Sequence, residues 1–260
     1  MRRVCCARSC LAEITIAITQ KDLTVRKVRP QDVRDEFINQ VDLTLEHYQR
    51  VIIALSSTPN GKLDISILST TVFHSIFVEF ECFISDLFIA YLNSDFSQYQ
   101  AFFENSVRQS VSEKHSGWLS TKVNFAIPKH LKVEEIAGAI DPSGRNLAFK
   151  DCDAMKSKAQ NWLAPEHRRA ICSISSDDAA IIDTARSIRN WIAHQSKESG
   201  SLMNKRLATV EVGHARNANL GRGVKNVTNI GAFLKSSQAG LPRVVSYAAR
   251  LKDAARILTI

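Results

Sequence analysis

The sequence predicts an all-α protein, a bundle of helices preceded by a short arm, and three observations carry that expectation. Apolar residues recur at intervals of three and four along two long early stretches, and again behind a run of helix-capping residues near position 175. Two-residue alternation appears only in residues 11–28. Residues 1–30 are therefore read as an N-terminal arm and residues 31–260 as one helical domain. Composition permits this: 260 residues, 45% hydrophobic and 23% charged, can bury one sizeable core and leave little room for extensive disorder.

In the arm, Ile14, Ile16 and Ile18 alternate with polar residues, which fits a short strand or an ordered extended segment, and Pro30 punctuates the chain. From Asp32, the positions Val33, Phe37, Val41, Leu45, Tyr48, Ile52 and Leu55 mark an amphipathic helix over about 31–57, ending before Pro59, Asn60 and Gly61. A second helix, roughly 64–92, is apolar on nearly every face and suits an enclosed spine of the core. Residues 97–113 read as a third, more exposed helix. Pro128, Gly138, Pro142 and Gly144 then signal loops and short elements, with a helix over 150–163 stopped at Pro165. Ser175, Ser176, Asp177 and Asp178 can cap the orphan amides of a helix over 179–195. Beyond Gly200, glycines at 213, 221, 223, 231 and 240 among basic residues read as loops, before a closing helix over 243–258.

A formal charge of +8 attracts polyanions, with RNA, DNA and anionic lipid as the classes, although charge alone also serves solubility. The six cysteines form no C-x-x-C pair, and the cluster Cys5, Cys6, Cys10 has no matching second half-site. The histidines at 47, 74, 115, 130, 167 and 214 show no metal-ligand spacing, and His74 reads as a satisfied core histidine. Neither a metal nor a cofactor is expected. No uncharged run spans a bilayer, since residues 72–92 carry Glu79, Glu81 and Asp86, and Arg8 and Glu13 interrupt any signal-peptide core after Met1, Arg2 and Arg3. These features predict a cytoplasmic protein without a membrane partner.

The helix over 179–195 carries the chemistry. Ile181, Thr184, Ala185, Ile188, Trp191, Ile192 and Gln195 share one side, and Arg186, Arg189, Asn190 and His194 gather opposite around Ala193. Arg189 and His194 are five positions apart, hence about 140° apart around the axis. Histidine can move the proton of a ribose 2′-hydroxyl or of a leaving 5′-oxygen. Arginine can hold the phosphate and stabilise charge building on its oxygens, and Asn190 can orient either reactant. An internal 2′-hydroxyl nucleophile implies RNA over DNA.

The run Arg189-Asn190-Trp191-Ile192-Ala193-His194 resembles the R-x4-6-H motif, in its R-N-x-x-x-H form, of the HEPN superfamily. The stretch from Val78 to Leu87 is similar to the core helix of bacterial HEPN proteins of the RiboL-PSP and related groups, in which an acidic residue precedes an aromatic and an apolar pair. The resemblance covers roughly residues 31–258. It implies a helical bundle that dimerises, so that two motifs form one composite, metal-independent endoribonuclease site, often in a toxin or phage-defence effector governed by an antitoxin or other regulatory protein. In HEPN toxins controlled by a nucleotidyltransferase antitoxin, a modified tyrosine stands two positions after the histidine. Here that position is Ser196.

Glu81, on the neighbouring helix, is expected to meet Arg189, because a buried carboxylate needs a partner. Arg186, Arg222 and Lys225 are expected to extend the RNA path, with Arg216 and Lys235 nearby in sequence. Two alternatives stand beside cleavage: a non-catalytic RNA- or nucleotide-binding module, and a helical adaptor whose motif serves as a dimer contact. An intact Arg, Asn and His favour the enzyme, because binding alone needs no titratable group.

Overall fold

The computed structural model describes residues 27–126, 131–144, 146–213, 220–223, 225–238 and 240–259. The alternating isoleucines of the arm, Cys5, Cys6 and Cys10, together with Pro128, His130, His214 and Arg216, lie outside them. Among the described residues the architecture is all-α, as the periodicity predicts, with one minimal β-ribbon.

Helix α1 (Pro30–Leu55) starts with proline in its first turn, where the missing amide would be an orphan anyway, and buries Phe37, Val41, Leu45 and Tyr48 at the expected spacing. Helix α2 (Gly61–Ser94) is the spine. It packs against α1 and four helices that follow later in the chain, which is why its apolar residues need no single stripe. Helix α3 (Ser97–Lys114) buries only Tyr99 and leads into the single turn α4 (Gly117–Ser120). Helix α5 (Val133–Ile140) forms in the stretch expected to be loops, and the Glu135 carboxylate accepts from the amide of Lys132 at 2.7 Å to close its first turn.

Helix α6 (Cys152–Trp162) is capped by the Asp151 side chain. Pro165 does more than end it. The residue before a proline is pushed out of the helical region, and Ala164 is extended (φ −56°, ψ 152°), yet proline itself is well suited to a first helical turn and opens α7 (Pro165–Cys172). Helix α8 (Ser176–His194) is followed after two residues by α9 (Lys197–Gly213), where the sequence suggested loops. Helix α10 (Ile230–Lys235) lies on α2 so closely that a Cβ at Gly231 would stand 2.5 Å from the Ser66 carbonyl oxygen. Strands β1 (Ser237–Gln238) and β2 (Leu241–Pro242) pair antiparallel before α11 (Arg243–Leu258).

The core is the aromatic side of α2 covered by α1, α8 and α11. Phe37 stacks on Phe83 at 5.1 Å, and Phe73 meets Tyr247 edge-on at 5.4 Å. Buried tyrosines satisfy their hydroxyls across long sequence distances: Tyr91 donates to the Leu258 carbonyl at 2.6 Å, and Tyr247 to that of Leu220 at 2.9 Å. Each fully buried Phe or Leu contributes about 2–3 kcal/mol from area removed from water. No helix among the described residues is long and apolar enough to cross a membrane.

Candidate functional site at the crossing of α2 and α8

Helix α8 is anchored at both ends. At its start, the Ser175 hydroxyl accepts from the Asp178 amide at 3.1 Å and donates to the Asp178 carboxylate at 2.7 Å. The other oxygen of that carboxylate accepts from Arg250 of α11, also at 2.7 Å, so the cap is tied to the last helix. At its end, Gln195 takes a left-handed conformation (φ 48°), and its amide bonds back to the Trp191 carbonyl at 2.9 Å. Ser196 then caps α9: its hydroxyl accepts from the Ser199 amide, and the Ser199 hydroxyl accepts from the Ser196 amide, both at 3.1 Å. The position that the HEPN resemblance gives to a modified tyrosine is thus a helix cap in this chain. A Cβ at Gly200 would come within 3.0 Å of the Trp191 ring, so glycine lets α9 lie against the motif helix.

The inward stripe is as the spacing predicts for Ile181, Thr184, Ala185 and Ile188, all buried, and it is widened by Ile182 and Ser187. Trp191 and Ile192 are half-buried, and Gln195 is exposed. The opposite side is not one open surface, because α2 and α6 cover part of it. Arg189 retains 26% and Glu81 16% of its side-chain exposure, and the guanidinium Nη2 donates to Glu81 Oε2, the contact expected of a carboxylate enclosed on α2. Nη1 donates to Asn190 Oδ1 at 2.9 Å. Arg189 Nε is buried and makes no hydrogen bond. The fork is thus held by two neighbours and partly shielded from water, where its pairing with Glu81 is stronger than at an open surface.

Arg186 departs from its expected place on an RNA path. It is half-buried beside a niche of about 10 Å³ shared with Glu81, Phe149, Asp151 and Cys152, because α6 and the segment before it fold over that part of α8. Arg222 departs too: its Nε donates to the Asn204 carbonyl at 2.9 Å, so it fastens the 220–223 turn to α9 and its donors serve the fold. Lys225 is exposed, as an RNA contact would require. His194, the last residue of α8, is exposed and does not converge with Arg189 within one chain.

One group near Arg189 escaped the sequence reading. His74, half-buried on α2, is held below the usual histidine range by burial and then by the Arg189 charge, with Glu81 opposing. Its signal was its place seven residues before Glu81, hence on the same helix face. Cys152 offers no nucleophile: burial pushes its thiol far up and the nearby Asp183 adds to that, which disfavours the thiolate. Asp183 is itself raised by burial, against the opposing effect of the Cys152 amide, which donates to it at 3.0 Å, and of Arg206. Among the described residues no group of three or more His, Cys, Asp or Glu is arranged to hold a metal ion.

No family model, curated protein or solved structure matches this chain. The resemblance to the HEPN superfamily therefore rests on residues 78–87 and 189–194 themselves. What the site offers chemically is a shielded, oriented guanidinium, an amide beside it, and two histidines in different settings, one half-buried near the guanidinium and one exposed at the helix end.

Proposed function

We propose that this protein is a HEPN-type endoribonuclease that cuts RNA by attack of the internal 2′-hydroxyl, at a site shared between two copies of the chain. The observation that carries the reading is the Glu81–Arg189–Asn190 chain at the crossing of α2 and α8, which holds a phosphate-binding fork ready before substrate arrives. Arg189 stabilises charge on the scissile phosphate, Asn190 orients the reactants, Glu81 positions Arg189, and His194 transfers a proton. Because Arg189 is half-buried and His194 stands exposed about 140° around the axis, one copy does not bring both onto one phosphate. Two facing motif helices do, which makes the active form a homodimer. Such an activity in the cytoplasm calls for restraint, so a regulatory protein or antitoxin is the further partner, in a toxin or phage-defence role. Attack by the 2′-hydroxyl needs no metal.

One observation favours the alternative of a non-catalytic RNA- or nucleotide-binding module: both terminal nitrogens of Arg189 already have protein partners. Incubation of the purified chain with single-stranded and structured RNA in EDTA separates the two. Cleavage leaving a 2′,3′-cyclic phosphate, lowered about 100-fold or more in His194→Ala, supports the enzyme. Binding without cutting under any condition supports the module, and cleavage restored only by magnesium sinks the mechanism.

A further inference from the structure

His74 stands two turns before Glu81 on α2, since seven residues turn a helix by about 700°. It is half-buried, and among the described residues it makes no hydrogen bond and no ring contact. His167, by contrast, stacks on Tyr91 at 4.8 Å with its Nε2 sealed from solvent. His74 keeps part of its surface open, so its ring is reachable, and the described charges that act on it are those of Arg189, from α8, and Glu81, from its own helix. The contacts also fix direction. Ile182 and Arg186 share a niche with Phe80, Glu81 and Ile84, whereas Arg189 acts on Glu81 and His74, so α8 advances as α2 retreats, towards His74.

We propose that His74 is the general base of the site, accepting the 2′-hydroxyl proton of the RNA whose scissile phosphate is held by Arg189 of the same chain. The inference rests on the RNA-cleaving reading and deepens it, because His74 and Arg189 make a half-site within one chain and the facing copy need bring only His194. The O2′ proton passes to the neutral His74 imidazole as the O2′–P bond forms. The P–O5′ bond breaks with its electron pair on O5′, which takes a proton from His194. The products are a 2′,3′-cyclic phosphate and a 5′-hydroxyl. His74 then releases its proton to solvent and His194 recovers one from it, so nothing else is consumed. Burial and the Arg189 charge favour the neutral His74 ring, the state a base requires.

The test compares the full-length wild type with His74→Gln, and with His47→Gln as an exposed control on α1, on a single-stranded RNA oligonucleotide in EDTA across a pH series. A base must be deprotonated, so wild-type kcat falls as pH drops through the lowered His74 value. His74→Gln is expected to lower kcat about 100-fold with KM little changed, and to abolish that acidic limb. A variant within about threefold of wild type, or one that keeps the acidic limb, overturns the proposal. A wild type that never cuts removes the RNA-cleaving reading and His74 as base together, whereas equal cutting by wild type and His74→Gln removes His74 alone. If His74→Gln does not fold, the wild type decides by proton NMR of the His74 ring. An uncleavable 2′-deoxy oligonucleotide should raise its titration midpoint, because a bound phosphate favours the charged ring. A midpoint that does not move overturns the assignment.

Discussion

The crossing of α2 with α8 and the arm made by α3 and α4 use similar residues to opposite ends. At the crossing, aromatic side chains are covered, and Arg189 and Glu81 above them are half-buried and paired. In the arm, Phe102, Phe103, Trp118 and Leu119 remain exposed, and the single buried side chain of α3 is Tyr99, set edge-on against Trp162 at 5.0 Å. Charges there lie over open rings, as Lys122 does over Trp118 at 5.8 Å. The contrast teaches where substitutions matter. Shielding strengthens each electrostatic contact and raises the cost of losing one, whereas at an exposed ring water replaces whatever is removed.

Four substitutions sharpen or break that comparison. The largest effect is expected from Ile188→Asp, which puts an unpaired carboxylate at a position of α8 with 0% exposure. It should cost about 4 kcal/mol or more and abolish the cooperative thermal transition. A folded Ile188→Asp protein with near-normal melting would mean that the crossing is not part of the core.

Next comes the pair Glu81 and Arg189. Removing Glu81 as Ala leaves a half-buried guanidinium without its carboxylate and should cost about 2 kcal/mol, reduced from the fully buried case because both side chains retain some water. In a double-mutant cycle with Arg189→Met, urea unfolding should show a coupling of about 1 kcal/mol. Strict additivity would show that the two are neighbours without being partners.

The smallest effect is expected in the arm. Trp118→Ser, at a side chain 69% exposed, should change unfolding free energy by no more than about 0.5 kcal/mol. A loss of 2 kcal/mol there would erase the distinction between the two regions.

Much of the fold was legible before the structure, and the exceptions have physical reasons. Helices α1, α2, α8 and α11 announce themselves because long runs of apolar positions repeat on a helical period. Pro165 is ambiguous in sequence, as the residue that ends one helix is also the one that best starts another, and neighbouring Leu163 and Ala164, both buried, had to be seen to settle it. Helix α9 hides behind Gly200 and a polar first turn; its apolar face rests on Met203 and Leu207, four residues apart and both fully buried, too few to show in a window. In the site, the Arg189–Glu81 contact was legible because an enclosed carboxylate demands a partner. Arg186 and Arg222 were not, because whether an arginine faces water depends on which distant segment it meets, α6 for Arg186 and α9 for Arg222. His74 looked like packing because every neighbour in sequence is apolar or small.

The ties between α11 and the rest also set an order of events during synthesis. Lys252 pairs with Asp42, Tyr247 fills the space against Phe73, Arg250 holds the cap of α8, and Leu258 receives the hydroxyl of Tyr91. Three of these contacts join α11 to the first two helices, and the fourth joins it to the motif helix. A nascent chain that has not yet released α11 from the ribosome can draw its first helices but cannot seal the spine or seat the motif helix. Setting of the Arg189–Glu81 crossing therefore waits for α11, and ribosomes stalled upstream of residue 243 would carry chains in which Arg189 has been made but not yet set.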